Sequence, residues 1–290
     1  MIFSFLDVGL RVRIEDIEEK ILSIRSFMKD CCVCTVAYQS KNIVKQDILD
    51  FINWYKFLGV ENIYILDNNS QLNIPNTVIR LDKSEDFYLC LSELKKWVKE
   101  NSKEKYMLLC DSDEFLFVED PEVLNLANLA PLALNWFNMI GKFDTDLKNI
   151  AHPAFAYTFG NRSNIVKCIG KVEDISYELM RQSHYSFKKN LRVIGADSIY
   201  RTMEFNKEGE KLIFTDPKEK TFEKAWFLHL RVKSKQDWLK KYNKDSQWGN
   251  REEVDKLKEL FNSFPKVCIS DSRHLEWFLP FADFLNKDEF

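Results

Sequence analysis

The chain has 290 residues, 45% of them hydrophobic and 30% charged, with 23 Phe, 10 Tyr and 7 Trp. That is enough apolar material for one large core, or a core with a small appendage, under a surface charged like that of a soluble protein. A formal net charge of −3 leaves no global positive field to hold a polyanion, which argues against nucleic-acid binding as the main role.

The start, MIFSFLDVGL, has a short apolar stretch, no basic flank and an early Asp7. It makes a poor secretion signal, and no later segment reaches the roughly 18–20 continuous apolar residues of a membrane span. A cytoplasmic protein is therefore expected, peripheral to a membrane only through what it acts on. Ile14, Ile17, Ile21, Ile24 and Met28 recur at three- and four-residue spacing and predict an amphipathic helix within residues 1–30. Cys32-Val33-Cys34-Thr35-Val36-Ala37-Tyr38 then predicts a strand covered on both faces. Its cysteines belong to a set of seven, an odd number set in apolar runs, and are expected to be reduced and buried. C-C-x-C lacks the paired spacing of a zinc site.

Ile48, Phe51, Ile52, Tyr55 and Leu58 keep a helical period that Gly59 can end. Asn62–Leu66 predicts a second strand, closed by the turn-forming Asp67-Asn68-Asn69-Ser70. Thr77–Leu81 predicts a third strand, residues 86–100 a helix, and Tyr106–Cys110 a buried strand. Strands alternating with helices indicate an α/β fold with a largely parallel sheet. Beyond Pro131 the pattern loosens. Ala133–Ile140 and Trp226–Val232 predict strands, 185–222 loops and short strands, and the last sixty residues helices.

The chemistry concentrates where an open α/β sheet holds its ligands, at the carboxyl ends of strands. One such place is the Asp67 loop. The other is Asp111-Ser112-Asp113-Glu114, three acidic groups in four residues directly after a buried strand. Such groups repel unless a cation or solvent compensates, and a divalent metal bridging to a diphosphate does so. An exposed acidic turn or a helix cap is the competing explanation. His229, inside Trp226-Phe227-Leu228-His229-Leu230, is by itself more readily a satisfied core residue than a ligand, and Trp136 more readily core than a sugar platform.

In this order the motifs resemble those of the GT-A glycosyltransferases, in particular the family 2-like and family 92-like group. The resemblance is carried by Phe57-Leu58-Gly59-Val60-Glu61-Asn62-Ile63-Tyr64-Ile65-Leu66-Asp67-Asn68-Asn69-Ser70 and by Leu109-Cys110-Asp111-Ser112-Asp113-Glu114-Phe115-Leu116. A weaker match is Leu228-His229-Leu230 with Lys233, Ser234 and Trp238. It implies a Rossmann-like GT-A core over 31–232, with a donor side at 31–118 and an acceptor side at 119–232. A C-terminal helical extension over 233–290 would pack on it. It also implies roles. Ala37, Tyr38 and Gln39 would line the base pocket, Lys41 would approach phosphate and Asp67 would contact base or ribose. Asp111 and Ser112 would sit near the ribose and metal, and Asp113 would bind Mn²⁺ or Mg²⁺. His229 would be a third metal ligand or a diphosphate contact, and Lys233 would neutralise the departing diphosphate.

The implied reaction moves a sugar from a nucleotide-sugar, with a UDP-sugar favoured, to a hydroxyl of a glycan or glycolipid, with inversion. Inversion needs a base, and the residues leave it open. Asp174 and Glu178, four apart and so on one face of any helix there, are the candidates taken forward. Two other readings stay open: a non-catalytic nucleotide-sugar or glycan-binding protein of the same fold, and a nucleotidyltransferase, which would ordinarily carry a Gly-rich phosphate loop that this chain lacks.

Overall fold

The computed structural model describes residues 8–38, 45–70, 73–83, 85–140, 159–177, 185–188, 192–202, 204–205, 212–213, 219–232, 269–270 and 277–285. It is a mixed α/β structure with a central sheet flanked by helices. The helices are α1 (Val8–Met28), α2 (Lys45–Phe57), α3 (Phe87–Asn101) and α4 (Phe278–Leu285), with a long 3₁₀ segment at Pro121–Asn128. The strands are β1 (Cys31–Tyr38), β2 (Ile63–Asn68), β3 (Thr77–Leu81), β4 (Tyr106–Leu109), β5 (Glu114–Val118), β6 (Leu132–Ile140), β7 (Phe159–Lys171), β8 (Val193–Gly195), β9 (Tyr200–Arg201), β10 (Glu204–Phe205), β11 (Leu212–Ile213), β12 (Ala225–Val232) and β13 (Ile269–Ser270).

Along the main path the strand order is β3-β2-β1-β4-β7-β6-β12-β5. The pairs β3–β2, β2–β1, β1–β4 and β6–β12 are parallel, while β7 runs antiparallel to both β4 and β6, and β5 antiparallel to β12. The parallel run follows from chain order, because each strand of the first half returns through a helix or a long connection. β1 shows why its sequence is unbroken apolar. Cys31, Val33 and Ala37 face one core layer with α1 and α2, and Cys32, Cys34 and Val36 face another with α3.

Ile17, Ile21, Ile24 and Met28 are buried, so the predicted stripe of α1 is its packing face. Gly59 does end α2, at φ +90°. Asp86 caps α3 by accepting the Tyr88 and Leu89 amides at 3.0 and 3.2 Å. β7 has no counterpart in the sequence reading. Thirteen residues carrying Gly160, Asn161, Arg162, Ser163 and Asn164 form one of the longest strands, because β6 pairs along most of one edge while β13, β11 and β4 meet the other at Phe159–Gly160, Ile165 and Ile169–Lys171. Of the expected C-terminal helices, 233–268 lies outside the described residues, Ile269–Ser270 is a short strand on β7, and α4 is helical. Among the described residues no helix is long and apolar enough to cross a membrane.

Candidate functional site

β1, β2 and β4 are parallel, so their carboxyl ends share one edge of the sheet, and both loops singled out in the sequence lie there. The register places Ala37, Asp67 and Arg80 in one row across β1, β2 and β3, and Tyr38 beside Asn68. The Asp67 loop is braced by its own polar groups. Asp67 is buried; its Oδ1 accepts the Ser70 amide at 2.8 Å and its Oδ2 pairs with Arg80 Nε at 3.3 Å. Asn69 bends the chain at φ 55°, a conformation asparagine tolerates. Asn68, fully buried, accepts the Glu85 amide and donates to the Glu85 carbonyl, both at 2.9 Å. Arg80 was not anticipated, since an arginine in a short edge strand carries no motif.

The acidic loop is held from below by α2. Tyr55 Oη, buried, donates to the Glu114 carbonyl at 3.1 Å and lies 3.4 Å from Cys110 Sγ, while Trp54 Nε1 donates to the Leu116 carbonyl at 3.0 Å. The loop also closes on itself. The Glu114 amide donates to the Asp111 carbonyl at 3.0 Å, and Glu114 Oε2 accepts the Asp111 amide at 2.8 Å. Glu114 is fully buried, and its Oε1 has no hydrogen-bond partner among the described residues. Asp111, Ser112 and Asp113 remain partly exposed.

A buried cation unforeseen in the sequence answers this cluster. Lys167 of β7 is fully buried, with Nζ 3.2 Å from Asp111 Oδ2 and 3.2 Å from Glu114 Oε2. Burial opposes its charge, but Asp111 first and Glu114 next outweigh burial and hold the ammonium above its ordinary range, while burial pushes the Glu114 carboxyl up against the pull of Lys167. The only sequence signal was a lone lysine inside the apolar run Ile165-Val166-Lys167-Cys168-Ile169.

On the other side of the loop stands His229. β12 pairs with β5 so that His229 is level with Glu114, and with β6 so that it is level with Asn138. The Asp113 carbonyl accepts the Leu230 amide at 2.9 Å. These pairings bring His229 Nε2 to 3.7 Å from Asp113 Oδ1 and Nδ1 to 3.1 Å from Asn138 Oδ1. With that oxygen as acceptor, Nδ1 donates, and Nε2 is the ring nitrogen that faces Asp113. The ring lies 4.3 Å from that of Trp136, which is itself buried. Among the described residues no group of three or more His, Cys, Asp or Glu side chains is placed to hold a metal ion.

The structure thus brings together Asp111, Ser112, Asp113 and His229, with Ala37, Tyr38 and Asp67 along the same edge. It does not bring Asp174 to them. Lys171, at the end of β7, pairs with Tyr106 at the beginning of β4, so Asp174 follows at the opposite edge of the sheet. There it ends a three-residue 3₁₀ turn instead of an α-helix, and its Oδ1 accepts Lys188 Nζ at 2.9 Å. Gln39, Lys41, Glu178 and Lys233 lie outside the described residues.

No protein-family model matches the chain, and no curated protein does. Among solved structures, it is similar to the crystal structure of S. aureus TarS 1–349 in complex with UDP-GlcNAc. The identity is 13%, the match covers 88% of this chain and 80% of that one, and the TM-score is 0.27.

Proposed function

We propose that the chain is a GT-A glycosyltransferase that takes a sugar from a nucleoside-diphosphate donor and passes it, with inversion, to a carbohydrate or glycolipid hydroxyl. The supporting observation is the meeting of Asp113 and His229, distant in sequence, beside Asp111 at the carboxyl edge of the parallel strands. In the transfer, the bond from the anomeric carbon to the donor's β-phosphate oxygen breaks and a bond to the acceptor oxygen forms. The acceptor's proton leaves to a base, to which we assign no residue. The Asp67 loop and the ends of β1 and β3 offer the nucleoside a wall, and the partly exposed Asp111 and Ser112 face outward from the same edge.

One carboxylate and one imidazole form a mixed donor set that suits a borderline divalent cation such as Mn²⁺ better than Mg²⁺. A carboxylate oxygen and an imidazole nitrogen 3.7 Å apart are too far apart for a hydrogen bond; a turn of the Asp113 carboxylate that closed the gap to the roughly 3.0 Å between adjacent octahedral ligands would let both hold one ion at about 2.1 Å. Asn138 behind His229 is the kind of outer partner that fixes a ligating ring. Mn²⁺ or Mg²⁺ characteristically takes its remaining ligands from phosphate and water, so Asp113 and His229 need no third side chain. When bound, such a cation supplies charge stabilisation to the leaving diphosphate.

The test is binding and turnover with UDP-, GDP- and TDP-sugars, with and without Mn²⁺. The wild type is expected to show a metal-dependent thermal shift and donor cleavage with at least one of them. Asp113→Ala is expected to weaken metal-dependent nucleoside-diphosphate binding by about 100-fold or more, a loss of several kcal/mol. Unchanged affinity in that variant would remove the metal assignment. Absence of any nucleotide response in the wild type would remove the glycosyltransferase reading, and binding without turnover on every acceptor would favour a nucleotide-sugar-binding protein.

A further inference from the structure

Lys167 raises a physical question that the functional reading leaves unanswered. A fully buried ammonium paired with a fully buried carboxylate is an expensive way to fill space. Desolvation costs several kcal/mol per ion, and an apolar pair of the same volume is often as stable or more so. Stability alone therefore does not account for Lys167 and Glu114. Their geometry does offer an account, because both point at one residue. Lys167 Nζ is 3.2 Å from Asp111 Oδ2, and Glu114 Oε2, itself 3.2 Å from Lys167, accepts the Asp111 amide at 2.8 Å. Asp111 is thus gripped at its carboxylate from β7 and at its backbone from β5.

Resting on the functional reading above, we propose that Lys167 is the positioning residue of the donor site. It fixes the direction of the Asp111 carboxylate through one oxygen and provides a resident positive charge in a loop of three carboxylates. Lys167 is wholly inaccessible, so it acts through Asp111 and touches no ligand. Two consequences follow. A dianionic diphosphate approaches a loop whose negative charge is already offset from beneath, and Asp111 meets the donor in one orientation without first being ordered by it, which limits the entropy lost on binding.

The experiment separates position from stability. Glu114→Gln keeps an oxygen for the Asp111 amide and leaves Lys167 on Asp111. Glu114→Gln with Lys167→Met removes the buried pair together, so no buried charge of that pair is stranded. Melting temperature and affinity for UDP, GDP and TDP with Mn²⁺ are measured for wild type and both variants. The double variant is expected to melt within a few degrees of Glu114→Gln yet to bind 10–100-fold more weakly, the usual size of an outer-shell effect. In an Asp111→Asn, Glu114→Gln background, adding Lys167→Met is expected to change affinity less than about 3-fold, because Lys167 and Asp111 act as one unit. If the double variant does not fold, Glu114→Gln with Lys167→Gln, whose amides can bond each other, carries the same expectation. Equal affinity in Glu114→Gln and the double variant, or additive losses with Asp111→Asn, would overturn the role of Lys167 while leaving the donor site intact. A wild type that binds none of the three diphosphates would bring down the functional reading and this inference with it.

Discussion

At the scale of single residues, the charges that matter are the ones that composition hides. Lys95 lies on the buried face of α3 with Leu91, Leu94 and Val98, and is fully buried. Burial is the main cause that pushes it down to about 7, and the positive charge of Lys167 adds to the shift. The sign of the consequence is definite. Below pH 7 both folded and unfolded chains carry the proton, and the cost of burying the charge is fully present. Between pH 7 and the unfolded value of about 10.4, the unfolded chain binds more protons, so stability rises with pH. Urea unfolding of wild type and Lys95→Met should therefore show the wild type gaining on the variant by roughly 1 kcal/mol per pH unit from pH 7 to 9. A pH-independent difference would show that the lysine stays protonated. The helical period of α3 already places residue 95 on its inner face; that an ammonium tolerates that face is a property of the packing around it.

At the scale of elements, boundaries followed local chemistry and buried strands followed their neighbours. Gly59 was readable as a stop, and the structure gives two reasons for it. Its φ of +90° is disfavoured for any other residue, and a Cβ there would stand 2.6 Å from Arg25 Cγ and 2.8 Å from Arg25 Cα on α1. Gly59→Ala should cost about 2 kcal/mol or more, read as a lower urea midpoint with unchanged slope; a change under 0.5 kcal/mol would mean that α1 moves aside. β7 was not readable. Gly160 through Asn164 has neither alternation nor β-propensity, yet the segment is paired along β6 from Met139 to Leu132. Pairing with β6, and with β13 at Gly160, imposes the strand there. Missing β7 also meant missing Lys167, so the illegible element carried the illegible part of the site.

At the scale of the whole molecule, the sheet separates two apolar layers, and the cysteines are distributed through both. Cys31, Cys32, Cys34, Cys90, Cys110 and Cys168 are all free and buried, as expected of small apolar residues; Cys268 lies outside the described residues. Burial is the first cause that raises the thiols of Cys31, Cys34 and Cys110, so none of these three supplies a thiolate near neutral pH. Iodoacetamide at pH 8, followed site by site by mass spectrometry, should label these six slowly and at one common rate that tracks global unfolding. Fast labelling of Cys31 or Cys110 would mean that the layer under the acidic loop opens locally.

The sequence by itself determined the α/β alternation, strands β1 to β4 and the two loops at their carboxyl ends, because period, apolar runs and turn residues are local properties; β5, directly after the acidic loop, was not read. The sequence also named Asp111, Asp113 and His229, though only the resemblance linked them. What the tertiary structure alone decided is which of these groups meet. Strand order put His229 against Asp113, a buried strand supplied Lys167 to Asp111 and Glu114, and antiparallel pairing carried Asp174 to the far edge. Pairing across a sheet joins residues without regard to their distance along the chain, and no local pattern records it.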